Sequence, residues 1–175
     1  MQIARFIARL TIGGLFIGHG TQKLMGWFGG PGLEGTDQMM QALELHPPRS
    51  NALAAGITET AGGALVAAGL CTPLGASGLI GVMTTAIRKV HWSKGVWNSS
   101  GGYEYNLVLI AALAALAEAG PGELSLDHLL GIERSGTRWA LGAFGLGVAS
   151  SLVVTEVGRR LAPPPPPETT PVPAT

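Results

Sequence analysis

Five long stretches of this chain carry almost no charge, and nothing else in the sequence constrains the fold as much. They run from about Ile3 to Met25, Asn51 to Leu70, Pro73 to Ile87, Asn106 to Ala117 and Trp139 to Thr155. A helix of roughly 20 apolar residues spans the hydrocarbon core of a bilayer. The second and fifth stretches meet that length, the third meets it with its flanks, and the fourth is marginal. A surface helix of a soluble protein needs a polar stripe recurring at about 3.6 residues, and these stretches lack one. Charged residues are 13% of the chain, about half the share of a soluble domain. Mean hydropathy is +0.33. All four tryptophans and both tyrosines fall at segment ends (Trp27, Trp92, Trp97, Tyr103, Tyr105, Trp139), where aromatic belts meet the headgroups. The expected architecture is an all-α, polytopic membrane helical bundle.

Punctuation supports helices. Thr72-Pro73 reads as an N-cap before a first-turn proline, so the second and third helices should meet in a tight hairpin. Gly120-Pro121-Gly122 should stop the fourth helix. The Pro-rich end, residues 161–175, reads as an extended, disordered tail. Glycines at 14 and 18 have the small-xxx-small spacing that lets membrane helices approach closely.

Eleven basic and eleven acidic residues leave no net charge, so nucleic acid is not an expected partner. A single cysteine, Cys71, excludes an internal disulfide and any CxxC motif. Nucleotide, zinc-protease and serine-hydrolase signatures are absent, and the four histidines suggest neither a metal site nor haem.

Three polar clusters remain. Glu59 sits near the middle of the second segment, where a charge costs about 2.5 to 3.5 kcal/mol, so it should face the bundle and hold a partner or a proton. His19 and Lys23, with Gln22 beside them, share one face at the end of the first segment. Lysine at such a position ordinarily snorkels, whereas His19 lies one turn deeper and, if it faced Glu59, could share a proton with it. The third cluster joins the third and fourth segments and contributes Trp92, Tyr103, Glu104 and Asn106. Flat aromatic and polar groups together suit an amphiphile such as a quinone. Topology puts all three clusters on one side of the membrane. Glu59 and His19 are therefore the candidate catalytic residues. Lys23, Gln22, Tyr103, Glu104, Asn106 and Trp92 are the candidate substrate-binding residues. A proton-coupled transporter using Glu59, or a scaffold for partner proteins, would also use such features.

These clusters together resemble the DoxX family of small bacterial membrane proteins. The resemblance rests on Gly18-His19-Gly20 with Lys23-Leu24, Gly26-Trp27-Phe28-Gly29-Gly30 and Glu59-Thr60-Ala61-Gly62-Gly63. It continues through Gly69-Leu70-Cys71-Thr72-Pro73, Asn98, Gly101-Gly102-Tyr103-Glu104-Tyr105-Asn106, Gly120-Pro121-Gly122 and Ser125-Leu126-Asp127. It implies a four-helix core over residues 1–132, to which this chain adds a fifth transmembrane helix at 133–160. It also implies multi-pass residence in the bacterial inner membrane. The family is associated with quinone-linked respiratory chemistry, and related DoxD-like proteins with thiosulfate:quinone oxidoreductase. By that resemblance the chain would be a membrane subunit or accessory of such a redox system. Its cofactor would be a non-covalent quinone, and its partners the bilayer and a redox or sulfur-transfer protein.

Overall fold

The computed structural model describes residues 2–164, and the rest of the Pro-rich tail lies outside the described residues. Within them the chain forms seven α-helices: α1 (Gln2–Met25), α2 (Gly32–Ala42), α3 (Pro48–Ala68), α4 (Thr72–Ala86), α5 (Glu104–Ala119), α6 (Leu126–Leu130) and α7 (Thr137–Arg160). The five apolar segments become α1, α3, α4, α5 and α7. Two short helices, α2 and α6, lie in the connections between those segments.

Local chemistry sets these boundaries. Pro48 opens α3, where a missing N–H costs nothing. Gly69 closes it in the left-handed region (φ 65°), and the Leu70 N–H bonds back to the Leu65 carbonyl. The expected hairpin follows, but its cap differs from the expected one. Cys71, also left-handed, holds the cap position, and the buried Thr72 hydroxyl has no partner among the described residues. The Cys71 N–H is instead taken by the Asp127 carboxylate, 2.9 Å away. α4 does not end cleanly at Ala86. It continues into a π-turn (Ile87–His91) and a 3-10 turn (Trp92–Lys94), which lengthen an otherwise short helix.

The central element is α4, which packs on α3, α5 and α7, while α1 packs on α3. Leu79, Ile80 and Leu113 are fully buried at its centre with Phe16 and Val66. α7 joins through small residues: a Cβ on Gly147 would fall 2.7 Å from Ile80 Cγ2, so the two backbones are nearly in contact. The Thr85 hydroxyl donates to Ser151 Oγ across this seam at 2.9 Å.

The exterior is apolar around the bundle. Leu15, Ile57, Leu74, Val108, Leu146 and Val153 all point outward and are exposed. Among the described helices, α7 alone combines spanning length with high hydropathy (24 residues, 1.6 over its best 18-residue window). α3 is long enough at 21 residues, as expected, but falls short in hydropathy because Asn51, Glu59 and its Gly and Thr residues lower the mean. Gly56, Gly62 and Gly63 among them are buried in helix contacts.

Candidate functional site

α1 and α3 run antiparallel at very close range, and that approach builds the site. A Cβ on Gly20 would lie 2.6 Å from the Thr60 nitrogen, and one on Gly63 would lie 2.6 Å from the Gly13 carbonyl oxygen. The glycines that matter are thus Gly13 and Gly20 on α1 against Gly56 and Gly63 on α3. Gly14 and Gly18, the pair with the expected spacing, face open space. Only one face of α1 meets α3, and positions 14 and 18 lie off it.

This contact brings Lys23 against Glu59. Lys23 Nζ donates to Glu59 Oε2 at 2.6 Å, a charge-assisted bond of the strong kind. Glu59 is 1% exposed, and the Lys23 side chain keeps 20% of its surface accessible. Glu59 therefore faces the bundle and has a partner, as its depth demands. The partner is Lys23 rather than His19. From one turn nearer the end of the bundle, the lysine stem reaches back to the carboxylate while its neighbour His19 points into the adjoining space.

That space is a cavity of about 650 Å³. His19, Gln22, Lys23, Glu59 and Asn106 all line it, so five of the eight candidate residues converge. The remainder of the wall is mainly carbon, including Met39 and Met40 from α2, Val82 from α4, Leu109 from α5 and Val154 from α7. Asn106 is buried and points its amide nitrogen at Met83 Sδ, 3.3 Å away. The cavity is an apolar slot with an ion pair in its wall.

Trp92, Tyr103 and Glu104 do not reach this wall. Trp92 stacks on Tyr103 (centroids 5.6 Å apart, planes 12° apart), and Glu104 Oε2 accepts the Asn98 N–H at 3.0 Å. These contacts fold the connection between α4 and α5 into a compact frame, helped by His91 Nδ1 bonding with the Gly101 carbonyl at 2.7 Å. Tyr105, two residues on, lines the cavity instead.

Several lining residues go beyond the candidates read from the sequence. Thr58 stands beside Glu59, Lys89 and His91 come from the π-turn, and Ser150 comes from α7. π-turns recur at functional sites because the extra residue re-aims side chains. The whole of α2 was also missed, although Leu33, Thr36, Met40 and Leu43 recur at helical spacing. Thr36 staples it in place, its hydroxyl donating to Gly32 O at 2.7 Å and lying 3.2 Å from the Lys23 carbonyl.

At the far end of the bundle a second polar knot is structural. Arg9 is fully buried, and its guanidinium donates to the carbonyls of Pro121 and Leu124. Gly69 and Asp127 complete the knot: a Cβ at 69 would collide with the guanidinium, and the Asp127 N–H bonds Gly69 O at 3.0 Å. Among the described residues no group of three or more His, Cys, Asp or Glu side chains is placed to hold a metal ion.

No curated protein and no solved structure matches the chain. A family model does: DoxX, over residues 4–92. The match contains α1, the Lys23–Glu59 pair, the α3–α4 hairpin and the π-turn, and it stops before α5, α6 and α7. It also stops before the motifs at Gly101–Asn106 and Gly120–Asp127 that entered the resemblance. Half the chain is matched, and the matched half holds the buried ion pair, the close α1–α3 contact and much of the apolar exterior. The chain belongs to the DoxX family and is an integral membrane protein.

Proposed function

We propose that the protein is a membrane subunit or accessory of a quinone-linked redox system, and that a quinone or similar small amphiphile binds in the α1–α3–α4 cavity. The observation that carries this reading is the Lys23–Glu59 pair, 2.6 Å apart, set in the wall of an apolar cavity. A buried ion pair is weak evidence for stability, because desolvation offsets its attraction. Small residues packed at this depth would hold the helices together without it. A pair retained at such a cost, beside open volume, suits a polar ligand head.

A quinone carries electrons and protons together, and a carbonyl oxygen of its head is a hydrogen-bond acceptor. The donors available here are Lys23 Nζ, the Gln22 amide and the His19 ring. In this reading Lys23 and His19 orient the head, and Glu59, held at Oε2 by Lys23, is the carboxylate beside it that can accept a proton. The carbon walls from α2, α5 and α7 take the apolar remainder and exclude water. Trp92, Tyr103 and Glu104 shape the frame beyond the cavity wall. Electrons reach the site from a partner protein, such as a redox or sulfur-transfer protein, or from the substrate itself, because the sequence carries no redox-cofactor motif. Residence in a bacterial inner membrane belongs to the same reading.

Mass spectrometry of small molecules co-purifying with wild type and with Glu59→Gln in mild detergent tests it. A quinone should be retained by wild type and depleted in the variant. Absence of quinone from both, with none taken up on addition, refutes the reading.

A further inference from the structure

The ends of α4 and α7 leave a second recess, about 750 Å³, which shares only Lys89 with the lining of the cavity above. Arg88, Lys89 and Arg159 line it, with the carboxylates Glu44 and Glu156. Charge there does not cancel. Glu156 is shared by two guanidiniums, Arg159 (2.8 and 2.9 Å) and Arg160 (2.7 Å), which leaves that group positive. Glu44 is 81% exposed and lies 3.9 Å from Lys89, a loose pair in water. Arg88 is held in place: its Nη1 donates to Thr155 Oγ1 at 2.7 Å and to the Ser151 carbonyl at 3.1 Å. Among the described residues its other nitrogens make no hydrogen bond, so an oriented guanidinium edge is left over. Leu152, half exposed on the outer face of α7, forms an apolar margin of the same recess.

We propose that this recess binds the phosphate group of an anionic phospholipid. Guanidinium groups match phosphate oxygens in pairs: Arg88 offers its free edge, and Arg159, whose Nε and Nη2 are held by Glu156, adds positive charge from α7. The position fits a lipid better than a free ion. The recess lies at the ends of α4 and α7, beside the π-turn that runs directly into the exposed Trp92, and Leu152 gives an acyl chain a path along α7. Basic pockets between membrane helices bind anionic headgroups by this chemistry. The inference is independent of the quinone reading, and it gives the ends of α4 and α7 a common ligand.

The test uses the full chain in mild detergent and native mass spectrometry, with phosphatidylglycerol and phosphatidylcholine of matched chains as probes. Wild type should retain phosphatidylglycerol preferentially. Arg159→Gln with Arg160→Gln, neither of which lines the ion-pair cavity, should reduce that preference by about fivefold for each charge removed. Arg88→Gln also cuts bonds to α7, so the double variant carries the test. Glu59→Gln should keep the preference, which separates this site from the ion-pair cavity. Equal retention of the two lipids by wild type, or an unchanged preference in the double variant, overturns the proposal. Displacement of the lipid by millimolar inorganic phosphate overturns the lipid assignment in favour of a free anion.

Discussion

Replacing Gly63 and Gly14 by alanine, each alone, separates helix packing from helix propensity in this bundle. A Cβ at position 63 would lie 2.6 Å from Gly13 O, 2.9 Å from Ile17 N and 3.0 Å from Phe16 Cβ. Two of these are backbone atoms and cannot rotate away. Carbon contacts relax near 3.5 Å, so α1 must retreat from α3 by somewhat under about 1 Å. Overpacking of this kind costs about 1–3 kcal/mol, against about 1 kcal/mol gained in helix propensity. The net effect is a loss of up to about 2 kcal/mol, or a fall in Tm of several degrees at about 2–4 °C per kcal/mol. At position 14 a Cβ meets nothing within 4 Å, so only the propensity gain remains and Tm should hold or rise. Because the same retreat pulls Lys23 from Glu59, Gly63→Ala should also weaken ligand retention while Gly14→Ala should not. Thermal unfolding in detergent, followed by tryptophan fluorescence, reads both variants. Equal destabilisation by the two would refute the reasoning, since the account places only one of them at a helix contact.

Three further outcomes follow from the same packing. Arg9→Met leaves the Pro121 and Leu124 carbonyls without their donor and should cost about 2–4 kcal/mol, seen as faster proteolysis near α6 with quinone retention intact. Gly147→Val drives a branched side chain into Ile80 and the Ser77 carbonyl and should cost about 1–3 kcal/mol in a thermal melt, so α7 behaves as part of the bundle rather than an appendage. A double-mutant cycle on Thr85→Ala and Ser151→Ala should give a coupling of about 0.6 kcal/mol, as interhelical hydroxyl pairs in membranes do.

Long apolar runs made the main helices legible in the sequence, because hydropathy and helix length report on the same physical constraint. α2 escaped because it is short and polar on average, and its apolar positions mattered only once α3 lay beneath it. Which glycines meet was also out of reach. Residues 13, 14, 18 and 20 are all glycine, and the face turned toward α3 chose Gly13 and Gly20. The depth of Glu59 required a partner, but sequence spacing could not choose between His19 and Lys23. Side-chain reach across the α1–α3 contact decided it. Trp92, Tyr103 and Glu104 missed the cavity wall because a loop path depends on its own bonds, here the N–H groups of Tyr103 and Glu104 returning to Gly95 and Val96. Tyr105 and Asn106, just inside α5, are held by helix geometry and do reach it.

The most direct test of the central claim is the Kd of a short-chain quinone for wild type, Glu59→Gln, Lys23→Gln and the double variant. If the pair seats the ligand, each single change should weaken binding by about tenfold or more, the cost of a charged hydrogen bond lost to the complex. The double variant should then bind little worse than the weaker single, since both changes remove one shared interaction. Unchanged affinity in Glu59→Gln, with a lowered Tm, would contradict the account and make Lys23–Glu59 a packing pair alone.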